Sequence, residues 1–174
     1  MRPAPLHGLR VLELTRLLPG PLATQHLADY GAEVIKIEDT GAGDYARTMG
    51  AMNGAEATSF FYQVVNRGKK SLRLDLKQAA GRELFLRLVA TADVVVEGFR
   101  PGVMDTLGLG YEQIAAANPR VVMCSITGYG QTGPYARRAG HDINYVGYAG
   151  VLDQIGVAGG APAIPNLQIG DLLG

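Results

Sequence analysis

The chain has 174 residues, 47% of them hydrophobic, which is enough for one sizeable core. Sixteen basic and sixteen acidic side chains cancel, so there is no broad positive field of the kind that steers nucleic-acid and anionic-membrane binders. The first ten residues lack the apolar run of a secretory signal, and no stretch is long enough to cross a bilayer. We therefore expect a cytoplasmic protein without nucleic-acid or membrane partners.

Five short runs rich in Val, Ile and Leu recur along the chain, several of them separated by helical patterns. This alternation predicts βαβ units and an α/β fold with a parallel sheet. The predicted strands are Arg10–Leu14, Glu33–Glu38, Ser71–Leu76, Asp93–Glu97 and Arg120–Ile126. The predicted helices are Pro21–Tyr30, Gln78–Ala90 and Tyr111–Ala117, the first of which has a proline at its start and Gly31 at its end.

Two segments do not fit a simple alternation. The interval 39–59 holds four glycines and is too long for a plain connection, which is typical of a functional or mobile loop. Residues 165–174 are interpreted as a strand followed by a glycine-rich turn that carries Asp171, with nothing left to pack after it. We therefore expect the chain to be the N-terminal portion of a longer protein.

The pattern favours no metal or redox cofactor. His7, His26 and His141 are too scattered to form a recognisable ligand set. The turn after the first strand lacks Gly-x-Gly-x-x-Gly, although Glu38 lies where a ribose-binding acid is found in dinucleotide enzymes. The single Cys124 excludes an intramolecular disulfide, and its apolar neighbours predict a buried position in a strand.

Several residues near strand ends are candidates for holding an anionic ligand. In an open parallel sheet, ligands bind outside the carboxyl ends of the strands. Arg100 follows the fourth strand, where it could bind a phosphate or instead pair with Asp105 or Glu97. The turn 66–70, with Arg67 and Lys69, could face a polyanion or be a solvated turn. The helix predicted to begin at Pro21 offers free backbone N–H groups to a phosphate, next to Pro19 and Gly20.

His141 and Asp171 place one imidazole and one carboxyl group in a glycine-rich, otherwise apolar third of the chain. Moving a proton across a carbon atom needs two groups of unlike basicity, which this pair supplies. The alternative is a capping or core histidine and an aspartate that caps a following helix. On a helix that begins here, Tyr145 would share a face with His141, whereas Asp142 would hold a cap or adjacent backbone.

Six motifs occur in one order that resembles the family III CoA-transferases. They are residues 6–14 (LHGLRVLEL), 19–21 (PGP), 31–38 (GAEVIKIE), 66–69 (NRGK), 97–102 (EGFRPG) and 128–134 (GYGQTGP). The resemblance covers essentially the whole chain. It implies a Rossmann-like, doubly wound large domain of which residues 1–174 are the N-terminal part, a small domain further along, and an interlocked homodimer. It also implies an acyl-CoA substrate, so that coenzyme A enters as part of the substrate.

Residues 140–145 (GHDINY) are similar to the α-methylacyl-CoA racemase branch, whose catalytic His and Asp match His141 and Asp171. The transferases also place a nucleophilic Asp at the position of Asp171, so His141 is the discriminating residue. Leu18 stands where formyl-CoA transferase has a functional Gln, and Pro19 is more like the racemases.

The resemblance thus implies that His141 and Asp171 epimerise C2 of a 2-methylacyl-CoA by removing and returning the α-proton. From their spacing on the predicted helix, Asp142 and Tyr145 are expected to support this pair. Arg100, with Lys69 and Arg67 and the backbone at Pro19 and Gly20, is expected to bind the CoA. One alternative is CoA transfer between carboxylic acids through an aspartyl-CoA intermediate at Asp171. A second alternative is a non-catalytic CoA-binding fragment.

Overall fold

The computed structural model describes residues 3–54 and 57–173. The chain folds as two compact units, the N-terminal unit Met1–Ile126 and the C-terminal unit Thr127–Gly174. In the N-terminal unit, five parallel strands form one sheet in the order β5-β2-β1-β6-β7. These strands are β1 (Arg10–Leu14), β2 (Glu33–Glu38), β5 (Lys70–Arg73), β6 (Val94–Glu97) and β7 (Val122–Ser125). A small antiparallel pair, β3 (Met52–Asn53) and β4 (Thr58–Ser59), lies apart from the sheet order.

Helices connect the strands of this sheet as βαβ units require. They are α1 (Pro19–Asp29), α2 (Phe60–Asn66), α3 (Ala79–Val89), α4 (Val103–Thr106) and α5 (Tyr111–Ala117). The chain starts at the centre of the sheet with β1, runs outward to β5, and returns past β1 to β6 and β7. This reversal is the signature of a doubly wound fold, which confirms the predicted fold class.

The core lies on both faces of the sheet because successive strand residues point to opposite sides. Leu12 and Leu14 of β1 join one cluster with Phe85 and Val89 of α3. Val11 belongs to a second cluster on the other face, against which α1 residues pack. By the same alternation, Glu13 faces the side of α1 although it is fully buried.

The structure corrects three predictions for this unit. Cys124 lies in β7 as expected but is exposed, because β7 is the last strand in the sheet order and pairs with β6 alone. The third predicted strand is displaced toward the N-terminus, since β5 ends at Arg73. Helix α1 begins at Pro19 rather than at the predicted Pro21. The interval 39–59 contains a 3₁₀ turn at Tyr45–Thr48 in addition to β3 and β4.

The C-terminal unit contains two short helices, α6 (Asp142–Tyr148) and α7 (Ile169–Leu173), with a 3₁₀ turn at Leu152–Gln154 between them. The strand predicted before Asp171 is wrong. Asp171 lies inside α7 because its backbone N–H is satisfied by a side chain of α6, 29 residues earlier, rather than by a neighbouring strand. No helix of the described residues is long and apolar enough to cross a membrane.

Candidate active site

His141 is the residue immediately before α6. Its backbone N–H donates to Asn144 Oδ1 (3.0 Å), and the N–H of Asn144 donates back to the His141 carbonyl oxygen (2.8 Å). This exchange of hydrogen bonds fixes the first turn of the helix. His141 is exposed, so its side chain remains accessible while its backbone is held.

Asp142 connects the two helices of the C-terminal unit. Its Oδ1 accepts hydrogen bonds from the N–H of Gly170 (2.6 Å) and from that of Asp171 (3.1 Å). These are backbone donors at the start of α7 that the helix itself cannot satisfy. Asp142 therefore holds the backbone at the start of α7, 28 and 29 residues further along the chain, and its supporting role in catalysis stays a prediction.

Asp171 is partly buried, and no lysine or arginine of the described residues forms an ion pair with it. Burial raises its pKa above the ordinary value, the charge of Asp142 raises it further, and His141 acts in the opposite direction. The structure therefore brings His141 and Asp171 into one electrostatic environment. Their catalytic roles stay a prediction.

Tyr145 supports the loop that carries His141. Its hydroxyl donates to the Gly140 carbonyl oxygen (2.6 Å), and its ring lies against Gly128 and Gly140. A Cβ atom at Gly128 would come within 2.1 Å of this ring, so a larger residue could not be accommodated there. Burial and the nearby Asp171 raise the pKa of Tyr145.

Four tyrosines of the C-terminal unit form one aromatic cluster. The ring of Tyr129 contacts those of Tyr135, Tyr145 and Tyr148 edge-on, with centroid distances of 5.8, 5.2 and 5.9 Å. Arg138 lies 4.5 Å from the centroid of Tyr135 and donates to the hydroxyl of Tyr148 (3.0 Å). Such edge-to-face contacts stabilise a unit that has few buried aliphatic side chains.

Lys69 is not available to a phosphate, which corrects its predicted role. Its side chain is 2% exposed, and its Nζ lies within hydrogen-bonding distance of four oxygens. These are Glu13 Oε2 (2.9 Å), Pro21 O (2.7 Å), Thr24 Oγ1 (2.8 Å) and Asn66 Oδ1 (3.1 Å). An ammonium group has only three N–H donors, so all of them are used within the fold. Burial lowers the pKa of Lys69 to about 8, although the ion pair with Glu13 opposes this change.

Glu13 and Lys36 form the centre of a buried ionic network that the sequence reasoning missed. Lys36 Nζ lies 3.0 Å from Glu13 Oε1 and 2.9 Å from Asp44 Oδ2. Asp44 Oδ1 accepts from the N–H of Leu17, whose φ of 64° is rare for a residue with a side chain. The network thus holds the loop after β1 in an unusual conformation. Charged residues inside the otherwise apolar strands β1 and β2 were the available signal.

Pro19 and Gly20 form the first turn of α1, which begins two residues before the predicted start at Pro21. A Cβ atom at Gly20 would lie 2.3 Å from Thr15, so the glycine allows the helix to approach the end of the strand closely. This packing accounts for Gly20 without a ligand. A contact of Pro19 or Gly20 with CoA stays a prediction.

Arg67 and Arg100 lie at different edges of the sheet. Arg67 precedes β5, is 58% exposed and pairs with Asp29 (2.5 Å). Arg100 is exposed just after β6, at the carboxyl edge where ligands bind in open parallel sheets. Among the described residues it forms no ion pair, so the alternative pairing with Asp105 or Glu97 is not present. Placement thus favours Arg100 over Arg67 as a phosphate-binding residue.

An open cavity of about 450 Å³ lies beside α2 in the N-terminal unit. Its lining includes five cationic residues: Lys36, Arg47, Arg67, Lys69 and Lys70. Each of them is paired with a carboxylate of the same unit. An anion would therefore have to compete with these carboxylates.

Within the described part of the chain, no group of three His, Cys, Asp or Glu side chains is arranged to hold a metal ion.

Comparison with known proteins identifies the family of this chain. The family model described as CoA-transferase family III matches residues 6–174. Human succinyl-CoA:glutarate CoA-transferase is 46% identical over 169 residues, which cover 97% of this chain and 38% of the relative. Acetyl-CoA:oxalate CoA-transferase of Acetobacter aceti is 43% identical over 171 residues, which cover 98% of this chain and 43% of the relative.

A solved structure supports the same result. The crystal structure of a CAIB/BAIF family protein from Brucella suis superimposes with a TM-score of 0.92 at 44% identity, covering 98% of this chain and 46% of that one. The chain therefore spans less than half the length of each of these relatives.

Proposed function

We propose, from the premise that this chain belongs to CoA-transferase family III, that the full-length protein transfers coenzyme A between carboxylic acids with Asp171 as its nucleophile. The observation that carries this proposal is the state of Asp171. Its carboxyl group is partly buried and lacks a lysine or arginine partner among the described residues, while its backbone N–H is held by Asp142. A carboxylate in this state is fixed in place yet free to react.

The names of the relatives favour transfer over racemisation. One is a succinyl-CoA:glutarate and the other an acetyl-CoA:oxalate CoA-transferase. Three of the four acids in these names are short dicarboxylic acids. We therefore propose a short dicarboxylic acid as the acceptor.

The reaction follows four balanced steps of covalent catalysis. The Asp171 carboxylate attacks the thioester carbonyl of the donor acyl-CoA and expels CoA thiolate, which gives a mixed anhydride. The thiolate attacks the aspartyl carbonyl and releases the donor acid as a carboxylate. The acceptor carboxylate attacks the aspartyl-CoA thioester, which forms a second anhydride and expels the thiolate again. Attack of the thiolate on the acceptor carbonyl yields the new acyl-CoA and restores Asp171.

The raised pKa of Asp171 supports this role, because a more basic carboxylate is a better nucleophile toward a carbonyl carbon. Arg100 is the proposed contact for the CoA phosphates, since its exposed guanidinium is unpaired within the described residues. Residues 1–174 are proposed to be the N-terminal part of a CoA-binding large domain, with the small domain further along. An interlocked homodimer and a cytoplasmic location belong to the same proposal.

Racemisation of a 2-methylacyl-CoA is the second candidate, and one observation favours it. His141 lies in the electrostatic environment of Asp171, so an imidazole and a carboxyl group of raised pKa are available together. In this reaction one group removes the α-proton and the other donates a proton to the opposite face. In CoA transfer, His141 would be an auxiliary group.

A CoA-exchange assay on the full-length protein tests the main proposal. Succinyl-CoA is mixed with glutarate, and glutaryl-CoA is followed by chromatography. Asp171→Asn should abolish transfer, whereas Asp153→Asn, at an exposed position of the same unit, should leave it intact. Because burial and Asp142 disfavour the charge on Asp171, the Asn variant should not lose stability. Full activity in Asp171→Asn would refute the nucleophile.

An exchange experiment in heavy water separates the two candidates. A single-epimer 2-methylacyl-CoA is incubated in D₂O without an acceptor acid. Deuterium at C2 with loss of optical purity would favour racemisation, and transfer predicts neither. His141→Gln should abolish racemisation completely but leave measurable CoA transfer.

A further inference from the structure

Asp142 occupies a central position in the candidate site. It is the first residue of α6 and directly follows His141. A single oxygen, Oδ1, accepts both the Gly170 N–H (2.6 Å) and the Asp171 N–H (3.1 Å). The position of the Asp171 backbone therefore depends on a carboxylate that does not belong to its own helix.

The space around Gly170 is consistent with this arrangement. A Cβ atom at Gly170 would lie 3.2 Å from Asp142 Oδ1 and 3.4 Å from the Tyr145 Cβ. The first contact is tight, so the Asp142 carboxylate would have to move by a few tenths of an ångström, whereas the second is an ordinary van der Waals contact. The glycine allows the Asp142 carboxylate to approach the α7 backbone directly.

Asp142 also acts on Asp171 through its charge. The ionisable groups that influence Asp171 are Asp142 and His141, and Asp171 in turn acts on Tyr145. Burial raises the pKa of Asp171, Asp142 adds to this increase, and His141 opposes it. One residue therefore combines a geometric hold on the backbone with an electrostatic effect on the side chain.

We propose that Asp142 is a positioning residue of the reaction centre, which orients Asp171 through the two backbone N–H groups and makes its carboxylate more nucleophilic through its negative charge. This inference rests on the proposed function in that Asp171 is taken as the attacking group. A cap that is merely structural would hold α7 without affecting how Asp171 ionises. The two roles are separable because an amide retains an oxygen acceptor but has no charge.

The test is a titration of Asp171 in full-length protein labelled with ¹³C at the aspartate carboxyl groups, assigned with the Asp171→Asn variant. Asp142→Asn should lower the pKa of Asp171, while Asp153→Asn should leave it unchanged. An identical Asp171 titration in wild type and Asp142→Asn would overturn the electrostatic part of the proposal. This readout needs no substrate, so it stands even if the protein does not transfer CoA.

Backbone orientation is tested by hydrogen exchange and kinetics. In Asp142→Ala, the amides of Gly170 and Asp171 should lose protection, and kcat should fall on the order of 100-fold with little change in KM for acyl-CoA. Asp142→Asn should keep the amide protection and lose less activity. Retained protection in Asp142→Ala would overturn the orienting role. If that variant does not fold, the protection in Asp142→Asn decides, because loss of protection there would also contradict an oxygen-mediated hold.

Discussion

Two carboxylates, one in each unit, experience opposite environments. Glu13 of the N-terminal unit is fully buried, and burial alone would raise its pKa, but Lys36 and Lys69 overcome this effect and the pKa is lowered. Asp171 of the C-terminal unit is only partly buried, yet its pKa is raised because burial is reinforced by a second carboxylate, Asp142. Depth of burial therefore does not decide the direction of the shift. The sign of the nearest charges does.

This difference distinguishes a carboxylate that is paired with cations from one that lies beside another carboxylate. A buried carboxylate with two cationic partners is locked in its ionised form and contributes to stability as long as the partners remain. A carboxylate beside another carboxylate is costly to ionise, which is a property typical of functional sites. The N-terminal unit thus concentrates paired charges, and the C-terminal unit holds the carboxylate that we propose as the nucleophile.

Removing a cation from the buried network should have the largest effect on stability. Lys69→Met leaves Glu13 Oε2 without its ammonium partner, so we expect a loss of about 3–5 kcal/mol in the free energy of unfolding. Urea denaturation followed by circular dichroism measures it. Lys70→Met is the matched control, because Lys70 is 69% exposed and pairs with Glu33 at the surface. There the expected loss is at most about 1 kcal/mol. Equal losses in both variants would contradict a structural role specific to Lys69.

Glu38, a second paired carboxylate of the N-terminal unit, should make the free energy of unfolding depend on pH. Burial would raise the pKa of Glu38, but hydrogen bonds from Arg47, the Asp44 N–H and Ser71 lower it to about 2, from an ordinary value of 4.5. A carboxylate whose pKa is lowered in the folded state adds stability at pH values above its ordinary pKa. This stability is lost as the pH falls from 4.5 toward 2. This component is worth about 3 kcal/mol.

Glu38→Gln should remove that component, so the unfolding free energy of the variant should vary less between about pH 5 and pH 2 than that of the wild type. Urea titrations at a series of pH values measure the slope. Glu83→Gln, at an exposed position of α3, serves as the control and should keep the wild-type slope. A wild-type slope in Glu38→Gln would show that this carboxylate does not carry the acid sensitivity.

Local sequence signals were sufficient for most of the sheet. The bounds of β1, β2 and α5 agree with the predictions, because Gly8 and Gly31 lie just before the two strands and Asn118 ends the helix. Helix α2 was missed because it follows a long glycine-containing interval. Ser59, whose Oγ accepts from the Tyr62 N–H, was the cap that could have indicated it.

The site was harder to predict because its determinants are distant in sequence. Lys69 looked like a residue of a solvated basic turn, yet its partner Glu13 lies 56 positions earlier. Likewise, α7 depends on a cap from Asp142, which no local pattern near Asp171 reveals. Residue types identified His141 and Asp171 as candidates, whereas only the fold shows which charges are already paired.

A smaller loss of stability is expected where α1 meets β1. Gly20→Ala would place a Cβ 2.3 Å from Thr15, so the helix must move away from the ionic network that Lys69 closes. We expect a loss of about 1–3 kcal/mol, measured by urea denaturation. Gly54→Ala is the control, since a Cβ there meets nothing within 4 Å. No difference between the two variants would mean that this close approach is not required.

The smallest effect on stability is expected at Tyr145. Its hydroxyl forms a neutral hydrogen bond, unlike the ion pairs of the N-terminal unit. Tyr145→Phe removes the bond to the Gly140 carbonyl but keeps the ring against Gly128, so the loss should be about 1 kcal/mol. Tyr135→Phe, which keeps its ring contacts and breaks no hydrogen bond of the described residues, should change stability little. Thermal unfolding of both variants measures the difference. A loss of stability in Tyr145→Phe as large as that in Lys69→Met would show that the C-terminal unit also depends on one buried polar contact. The two units would then not differ in this respect.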